Sequence, residues 1–162
     1  MKIAAIQISR EGKRIIDLLG REMTIEVVNR QDVGKQWNKY DAFVFIGAMG
    51  ICVRTIAPHI KDKHEDPAVV CVDSMGLNAI SVLSGHIGGA NDLARDIAAL
   101  IGAREVITTQ SDNAGLWALD TFAERFNWAI ASDDDMNECI FAFVNRQPTA
   151  LLMEICDEGT DY

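Results

Sequence analysis

Three short segments in the first half of the chain are apolar at almost every position, and they constrain the fold more than any other feature. They span residues 2–8 (KIAAIQI), 42–46 (AFVFI) and 68–72 (AVVCV). Strands that are apolar on both faces are typical of a parallel sheet covered by helices on both sides. The first segment is too short to cross a membrane, and the polar Gln7 and Ser9 fit a strand better than a signal peptide. We therefore predict a sheet protein with no membrane segment.

Helical patterns separate these strands. Apolar residues at positions 15, 16, 18 and 19 predict a first helix, for which Gly20 is the expected stop. Residues 49–64 predict a second helix, which Pro58 should kink or divide into two short helices. Residues 90–101 predict a third helix with one apolar face, ended by Gly102. This alternation of strand and helix indicates an α/β fold.

Further strands complete the predicted sheet. Residues 24–28 (TIEVV) alternate and are β-branched, and residues 106–109 (VITT) have a similar character. Residues 78–83 (NAISVL) follow a predicted turn at 73–76, so they are the expected hairpin partner of residues 68–72. The complete pattern predicts a three-layer α/β sandwich with a mostly parallel sheet and one antiparallel hairpin.

The last part of the chain contains further predicted elements. They are a helix over 114–126 capped by Asp112, a helix over 135–145 and a strand over 149–155. The character of the sequence changes after Trp128, which suggests a boundary. We predict an N-terminal α/β domain over residues 1–130 and the start of an incomplete middle region over residues 131–162.

The composition restricts the partners and the location of the protein. A formal net charge of -9 opposes binding to nucleic acid, whose affinity depends on releasing counterions from phosphates. The four cysteines form no C-x-x-C pair and three lie in apolar runs, so we expect reduced thiols in a cytoplasmic protein. His59 and His64 are five residues apart and share no helix face, so no protein-bound metal is expected. The residues leave open whether the protein is a homo-oligomer.

Three polar loops follow predicted strands, and we expect them to meet at the carboxyl edge of the sheet, where open α/β folds bind ligands. The first loop contains Gly47 and Gly50, which permit an anionic group to approach the following helix. Tight turn packing explains these glycines equally well. Arg54, one turn later, could bind a carboxylate through two hydrogen bonds, with Lys63 adding charge. An exposed surface role is the alternative for both cations.

The second loop, residues 84–91 (SGHIGGAN), is the most informative stretch. His86 is the candidate for proton transfer near neutral pH, and the amides of Gly88 and Gly89 could donate to an oxyanion. The other candidate substrate-binding residues of this loop are Ser84, Gly85 and Asn91. The structural alternative is that His86 bonds the backbone to lock the turn, while Asn91 caps the next helix.

The third loop contains Thr108, Thr109, Ser111 and Asp112. Hydroxyl groups ahead of a helix bind anions, but Ser and Asp are also favoured caps, and capping is preferred from the residues alone. We keep Thr109 as a candidate for substrate binding and Asp112 as a candidate catalytic acceptor of a proton.

Short motifs occur in a fixed order between residues 46 and 112. They are Gly50-Ile51 with Val53-Arg54, Ala57-Pro58, Asp66 to Val70, Leu83 to His86, Gly88 to Asn91, and Val106 to Thr109 with Asp112. This series resembles the N-terminal domain of the cobalamin biosynthesis G proteins (CbiG). Each motif is short, but their number and order make the resemblance specific. Residues 113–155 resemble the start of the family's middle region more loosely.

The resemblance implies a hydrolase that opens the δ-lactone of cobalt-precorrin-5A in the anaerobic route to vitamin B12, releasing acetaldehyde and giving cobalt-precorrin-5B. It implies a polycarboxylate tetrapyrrole as substrate, which carries the cobalt, and no protein cofactor. For such a substrate, the residue types, rather than the resemblance, make His86 and Asp112 the hypothetical proton-transfer groups, while the cationic and glycine-loop residues could hold carboxylates. The expected partners are a C-terminal domain missing from this chain or other enzymes of the pathway. A non-catalytic tetrapyrrole-binding module and a generic phosphate-binding α/β domain are the alternatives.

Overall fold

The computed structural model describes residues 1–126, 128–130, 135–150 and 152. The strands in these residues are β1 Ile3–Gln7, β2 Ile25–Val27, β3 Ala42–Ile46, β4 Ala68–Val72, β5 Asn78–Leu83 and β6 Arg104–Val106. The α-helices are α1 Lys13–Glu22, α2 Val33–Gln36, α3 Met49–Ile56, α4 Ala90–Ile101, α5 Gln110–Ala114 and α6 Met136–Val144. Short 3-10 helices lie at Arg30–Asp32 and Ala123–Phe126.

The strands form one sheet in the order β2-β1-β3-β4-β5-β6. Strands β1 to β4 are mutually parallel, and β5 pairs with β4 in the antiparallel direction. The turn between β4 and β5 is held by Asp73, whose carboxylate accepts the N–H groups of Met75, Leu77 and Asn78 at 2.9, 3.0 and 2.6 Å. β6 is parallel to β5, so the last two strands both run opposite to the other four.

Two apolar clusters cover the two faces of the sheet, because side chains alternate along each strand. In β3, Ala42, Val44 and Ile46 belong to the first cluster, whereas Phe43 and Phe45 belong to the second. Helices α1 and α4 pack on the first cluster, and α2 and α3 pack on the second. The predicted three-layer α/β sandwich with one antiparallel hairpin is therefore confirmed.

Helix α1 does not stop at Gly20, contrary to the prediction. It continues to Glu22 and ends where the Met23 N–H donates to the Leu19 carbonyl at 2.8 Å. Gly20 is exposed, while Ile15 and Leu19 are fully buried. Burial of the apolar face outweighs the preference of about 1 kcal/mol against glycine in a helix.

The helix predicted over 114–126 is also wrong. The helix of this region is α5, which lies earlier, is capped at Thr109 rather than at Asp112, and ends at Gly115 with a φ of 65°. A left-handed residue at this position ends a helix after its last turn. The segment after Gly115 is irregular up to the 3-10 helix Ala123–Phe126.

Most other predicted elements are present. Helix α3 accounts for the first half of the helix predicted over 49–64 and ends before Pro58. Strand β6 lies slightly earlier than its predicted range of 106–109, and α6 matches the helix predicted over 135–145. The strand predicted over 149–155 lies mostly outside the described residues. None of the described helices combines the length and apolar character that crossing a membrane requires.

Candidate functional site

The direction of β5 and β6 divides the three candidate loops between two edges of the sheet. The loop at 47–50 lies at the carboxyl edge of the parallel strands, where the Gly47 N–H donates to the Val72 carbonyl at 2.8 Å. The loops after β5 and β6 lie at the opposite edge, because these strands are reversed. β4 has five residues, so about 13 Å of strand separates the two edges. The expectation that all three loops meet is therefore wrong.

The loop after β5 folds tightly onto the segment that leads into β4. Ser84 has a φ of 55°, in the left-handed region, and its Oγ donates to the Asp66 carbonyl at 2.9 Å. The Ser84 carbonyl accepts the Ala90 N–H at 3.1 Å. The Gly89 N–H donates to the His86 carbonyl at 2.9 Å, so it closes this turn rather than serving as the predicted oxyanion donor. The turn presents the His86 side chain at the edge of the sheet, 21% exposed.

Close packing within this turn requires a glycine at position 88. A Cβ on Gly88 would lie 2.5 Å from the Ser84 Cβ and 2.8 Å from the Ser84 carbonyl oxygen. Because backbone cannot move aside as a flexible side chain can, we expect Gly88→Ala to lower the free energy of unfolding by about 1–3 kcal/mol. Urea unfolding followed by circular dichroism measures this loss.

The matched control is Gly20→Ala in α1. A Cβ on Gly20 would meet only Ile25, at 3.9 Å, which is an ordinary contact. Since alanine also favours helix, the free energy of unfolding should rise by about 0.5–1 kcal/mol. A Gly88→Ala variant that is as stable as the unmodified chain would contradict the packing described for the turn.

The loop after β6 brings Asp112 to His86. The Oδ2 atom of Asp112 lies 2.7 Å from His86 Nε2. The same oxygen accepts hydrogen bonds from Thr109 Oγ1 at 2.5 Å and from Asn91 Nδ2 at 3.0 Å, while Arg95 donates to the other carboxylate oxygen. An ionised carboxylate only accepts hydrogen bonds, so His86 Nε2 is the donor. Nδ1 is then the nitrogen of neutral His86 that is left to take a proton.

The donors around Asp112 determine its charge. Burial by itself raises the pKa of this carboxyl, whose side chain is 18% exposed. The hydrogen bonds from Thr109, His86 and Arg95 outweigh burial and hold the pKa of Asp112 well below its ordinary value. Asp112 therefore stays ionised near neutral pH. Asp112 is therefore placed to orient His86. The sequence had instead predicted that Asp112 accepts a proton.

The sequence interpretation missed two residues of this cluster, Arg95 and Asp120. Arg95 lies four residues after Asn91 on α4, so helical spacing could have placed both side chains on one face. Asp120 belongs to the irregular segment after α5, and no periodic pattern points to it. Its Oδ1 lies 3.7 Å from His86 Nδ1, whereas Ser111 Oγ lies 3.3 Å from Nε2. Asp120 thus places a negative charge beside the nitrogen available for proton transfer.

The predicted residues of the first loop lie away from this cluster. A Cβ on Gly47 would lie 2.6 Å from the Ile8 Cβ, so backbone packing explains this glycine. The exposed Arg54 lies over Gly50 in α3, with its Nη2 3.5 Å from the place that a Cβ on Gly50 would take. Gly47, Gly50 and Arg54 therefore all lie at the edge opposite to His86.

Other predicted binding residues at the His86 edge are occupied by contacts within the protein. Asn91 is only 3% exposed, and a Cβ on Gly85 would lie 2.8 Å from Asn91 Oδ1, so this pair supports the turn. Lys63 lies in the segment before β4, where its Nζ donates to Asn137 Oδ1 at 2.6 Å. These contacts leave His86 as the predicted residue that is best placed for chemistry.

Two clefts open at the His86 edge, and acidic side chains line both. One, of about 490 Å³, lies beside Gly88 and includes Asp41, Glu65 and Asp66. The other, of about 450 Å³, lies beside Gly89 and includes Glu22, Asp92 and Asp96. Their negative charge opposes the binding of carboxylates. Among the described residues, no three His, Cys, Asp or Glu side chains are arranged to hold a metal ion.

The chain matches two family models. The one described as Cobalamin synthesis G N-terminal covers residues 31–112, about half of the chain, and includes both His86 and Asp112. The one described as Cobalamin biosynthesis central region covers residues 117–162.

Several curated relatives and solved structures are similar to the chain, among them the two relatives and the one structure described here. The cobalt-precorrin-5A hydrolase of Priestia megaterium is 44% identical over 118 residues, which cover 73% of this chain and 32% of the relative. The cobalt-precorrin-5A hydrolase of Salmonella typhimurium is 53% identical over 88 residues, which cover 54% of this chain and 25% of the relative. A crystal structure of a cobalamin biosynthesis protein G homolog from Sulfolobus solfataricus has a TM-score of 0.60 at 32% identity, over 66% of this chain and 36% of that one. The chain thus spans about a third or less of the length of these two curated relatives.

Proposed function

We propose that this chain, which belongs to the family of cobalamin biosynthesis G proteins, carries the lactone-opening site of a cobalt-precorrin-5A hydrolase. The observation that supports this assignment is the His86–Asp112 pair, with 2.7 Å between Nε2 and Oδ2. An oriented imidazole with one open nitrogen is the group that ester hydrolysis by water needs near neutral pH. The pair lies inside the part of the chain that matches the family.

Opening of the lactone begins with proton transfer to His86. Its Nδ1 takes a proton from water as the water oxygen attacks the lactone carbonyl, while Asp112 holds the ring through Nε2. The Gly88 amide, in the same turn, is the proposed donor to the oxyanion. Collapse of the tetrahedral intermediate breaks the ring C–O bond, and His86 returns its proton to the leaving oxygen.

Acetaldehyde leaves in a second step. The hydroxyl formed by lactone opening gives its proton to His86 Nδ1, and the bond between the bridge carbon and the macrocycle breaks. The bridge carbon, which carries the hydroxyl and a methyl group, becomes the carbonyl carbon of acetaldehyde. The electron pair passes into the macrocycle, which takes up the proton from His86 Nδ1 and so regenerates the neutral imidazole. Asp120, with its Oδ1 3.7 Å from Nδ1, stabilises the positive charge that each transfer places on the imidazole.

The cobalt ion of this reaction belongs to the substrate, so the proposal includes no protein-bound cofactor. The substrate is a polycarboxylate tetrapyrrole. Because both clefts at the His86 edge are acidic, its carboxylates need cations from elsewhere. The region of the relatives that this chain does not cover is the proposed source, which makes it a partner in the complete site. We also assign the protein to the cytoplasm, since Cys52 and Cys71 are buried free thiols.

Acetaldehyde release from cobalt-precorrin-5A tests the proposal directly. The chain is assayed alone and fused to the region of the Priestia megaterium relative that it does not cover. Acetaldehyde is followed by its reduction with NADH and alcohol dehydrogenase. One acetaldehyde per substrate from either protein supports the hydrolase. Corrin binding in an absorbance titration without acetaldehyde from either protein indicates a binding module instead. Binding of inorganic phosphate without binding of a corrin indicates a phosphate-binding domain.

A further inference from the structure

Four aromatic side chains between residues 117 and 128, after α5, form a continuous series. The ring centroids of Trp117 and Phe122 are 4.8 Å apart, those of Phe122 and Phe126 are 5.3 Å apart, and those of Phe126 and Trp128 are 4.7 Å apart. The first and last pairs are stacked, with interplanar angles of 21° and 25°. We call Trp117, Phe122, Phe126 and Trp128 the aromatic ladder.

The aromatic ladder is exposed to an extent that packing alone does not explain. Trp117, Phe126 and Trp128 are 57%, 51% and 42% exposed, respectively. Large apolar side chains that remain together on a surface mark a place where another molecule binds. By contrast, Trp37 is 4% exposed and stacks on Phe43 within the core.

The aromatic ladder adjoins the candidate site along the chain. Asp120 lies between its first two members in the sequence, and the Asp120 carboxylate is 3.7 Å from His86 Nδ1. The Thr121 N–H donates to the Ala118 carbonyl at 3.3 Å, so the segment from Trp117 to Phe122 turns back beside this contact. Trp117 and Phe122 therefore flank, on either side in the chain, the residue that contacts His86.

We propose that the aromatic ladder is a stacking surface for the face of the tetrapyrrole macrocycle. This inference rests on the proposed function and adds the binding mode of its substrate. A macrocycle is flat and conjugated on its faces and carries its carboxylates at the rim, so uncharged aromatic rings match its face. The two acidic clefts described above do not match the rim, whereas the ladder is uncharged and adjoins Asp120, the residue beside His86, in the chain.

The two exposed tryptophans of the ladder allow a direct test. The 162-residue chain is titrated with cobyrinic acid, a cobalt corrin with free carboxylates, and tryptophan fluorescence and corrin absorbance are followed together. Binding should quench Trp117 and Trp128. Replacing both by leucine should raise the dissociation constant by about tenfold or more. The reason is that loss of one aromatic side chain stacked on a nucleic-acid base raises a dissociation constant by a factor of about 5–150.

Two further variants separate stacking from folding. The variant with Trp117→Phe and Trp128→Phe keeps flat rings and should bind within about threefold of the unmodified chain. Phe141→Leu removes an exposed aromatic side chain of α6 that is outside the ladder, and it should leave the dissociation constant unchanged. Circular dichroism checks that each variant is folded.

Several outcomes would overturn the inference. If the folded double leucine variant binds the corrin as tightly as the unmodified chain does, the ladder is not part of the binding site. The same conclusion follows if the unmodified chain binds no corrin. A change in sedimentation of the leucine variant with unchanged corrin affinity assigns the ladder to a protein interface instead. Failure of the proposed function is distinguishable, because ladder-dependent binding without acetaldehyde release contradicts the hydrolase and leaves the stacking surface in place.

Discussion

Replacement of His86 by glutamine is expected to lower the rate of acetaldehyde release by about 10²- to 10⁴-fold, the usual contribution of a general base. Glutamine can still reach the Asp112 carboxylate, but its amide takes no proton near neutral pH. The dissociation constant for a corrin should change by less than about threefold, since the loss concerns the reacting state rather than substrate binding. The rate is measured at saturating substrate in whichever protein releases acetaldehyde in the assay described above.

The matched control for this substitution is His64→Gln. His64 is exposed in the segment before β4, and its backbone N–H donates to Asp62 Oδ1 at 2.9 Å, a contact that glutamine retains. Its rate of acetaldehyde release should equal that of the unmodified protein. A His86→Gln variant that retains full turnover would remove His86 from the mechanism, whatever the corrin affinity.

Replacement of Asp112 by asparagine should lower the free energy of unfolding by about 2–4 kcal/mol. Four donors converge on this carboxylate: His86 Nε2, Asn91 Nδ2, Thr109 Oγ1 and the Arg95 guanidinium. An asparagine turns one of the two oxygens into a donor. In one orientation of the asparagine, its new N–H group faces the Arg95 guanidinium. In the other orientation, it faces the donors of His86, Asn91 and Thr109. Two donors therefore oppose each other in either case.

The same substitution should change how stability depends on pH. The pKa of Asp112 is lower in the folded protein than in the unfolded chain. The contribution of Asp112 to stability is therefore fully present above the pKa of this carboxyl in the unfolded chain, about 4. It is lost as the pH falls through the pKa in the folded protein. Urea midpoints of the unmodified chain should fall between about pH 5 and pH 2, and those of Asp112→Asn should fall less over that range.

Asp17→Asn is the matched control for Asp112→Asn, because it makes the same change in an exposed ion pair. It removes the contact of Lys13 Nζ with Asp17 Oδ1 at 2.9 Å, in which both side chains are more than half exposed. The free energy of unfolding should change by less than about 0.5 kcal/mol. If Asp112→Asn were as stable and as acid-sensitive as Asp17→Asn, the donors around Asp112 would have no net effect on folding.

The elements of the sheet were predictable where their signal is local. Residues 42–46 and 68–72 form β3 and β4 with the predicted bounds, because a strand buried on both faces excludes polar side chains along its whole length. The predictions failed where a weak local signal competes with packing. Gly20 did not end α1, since burial of Ile15 and Leu19 on the opposite face continues the helix. The helix predicted over 114–126 failed because Gly115 ends α5.

The candidate site was predictable in residue type but not in arrangement. His86 was identified because a histidine in a glycine-rich turn is unusual and suited to proton transfer. The role of Asp112 changed once the structure placed several donors on its carboxylate. Asp120 could not be found beforehand, since it lies 34 residues after His86 in a segment without periodicity, and only folding brings the two side chains together.

The sequence by itself determined most of the strands and helices, the family and the proton-transfer candidate, because these depend on local periodicity and on residue type. Only the tertiary structure decided which loops share an edge and which nitrogen of His86 is open. The turn at Asp73 reverses the chain, so β5 and β6 deliver His86 and Asp112 to the edge opposite Gly47. Strand direction follows from pairing between distant segments, and an alternating or apolar pattern is the same whichever way a strand runs.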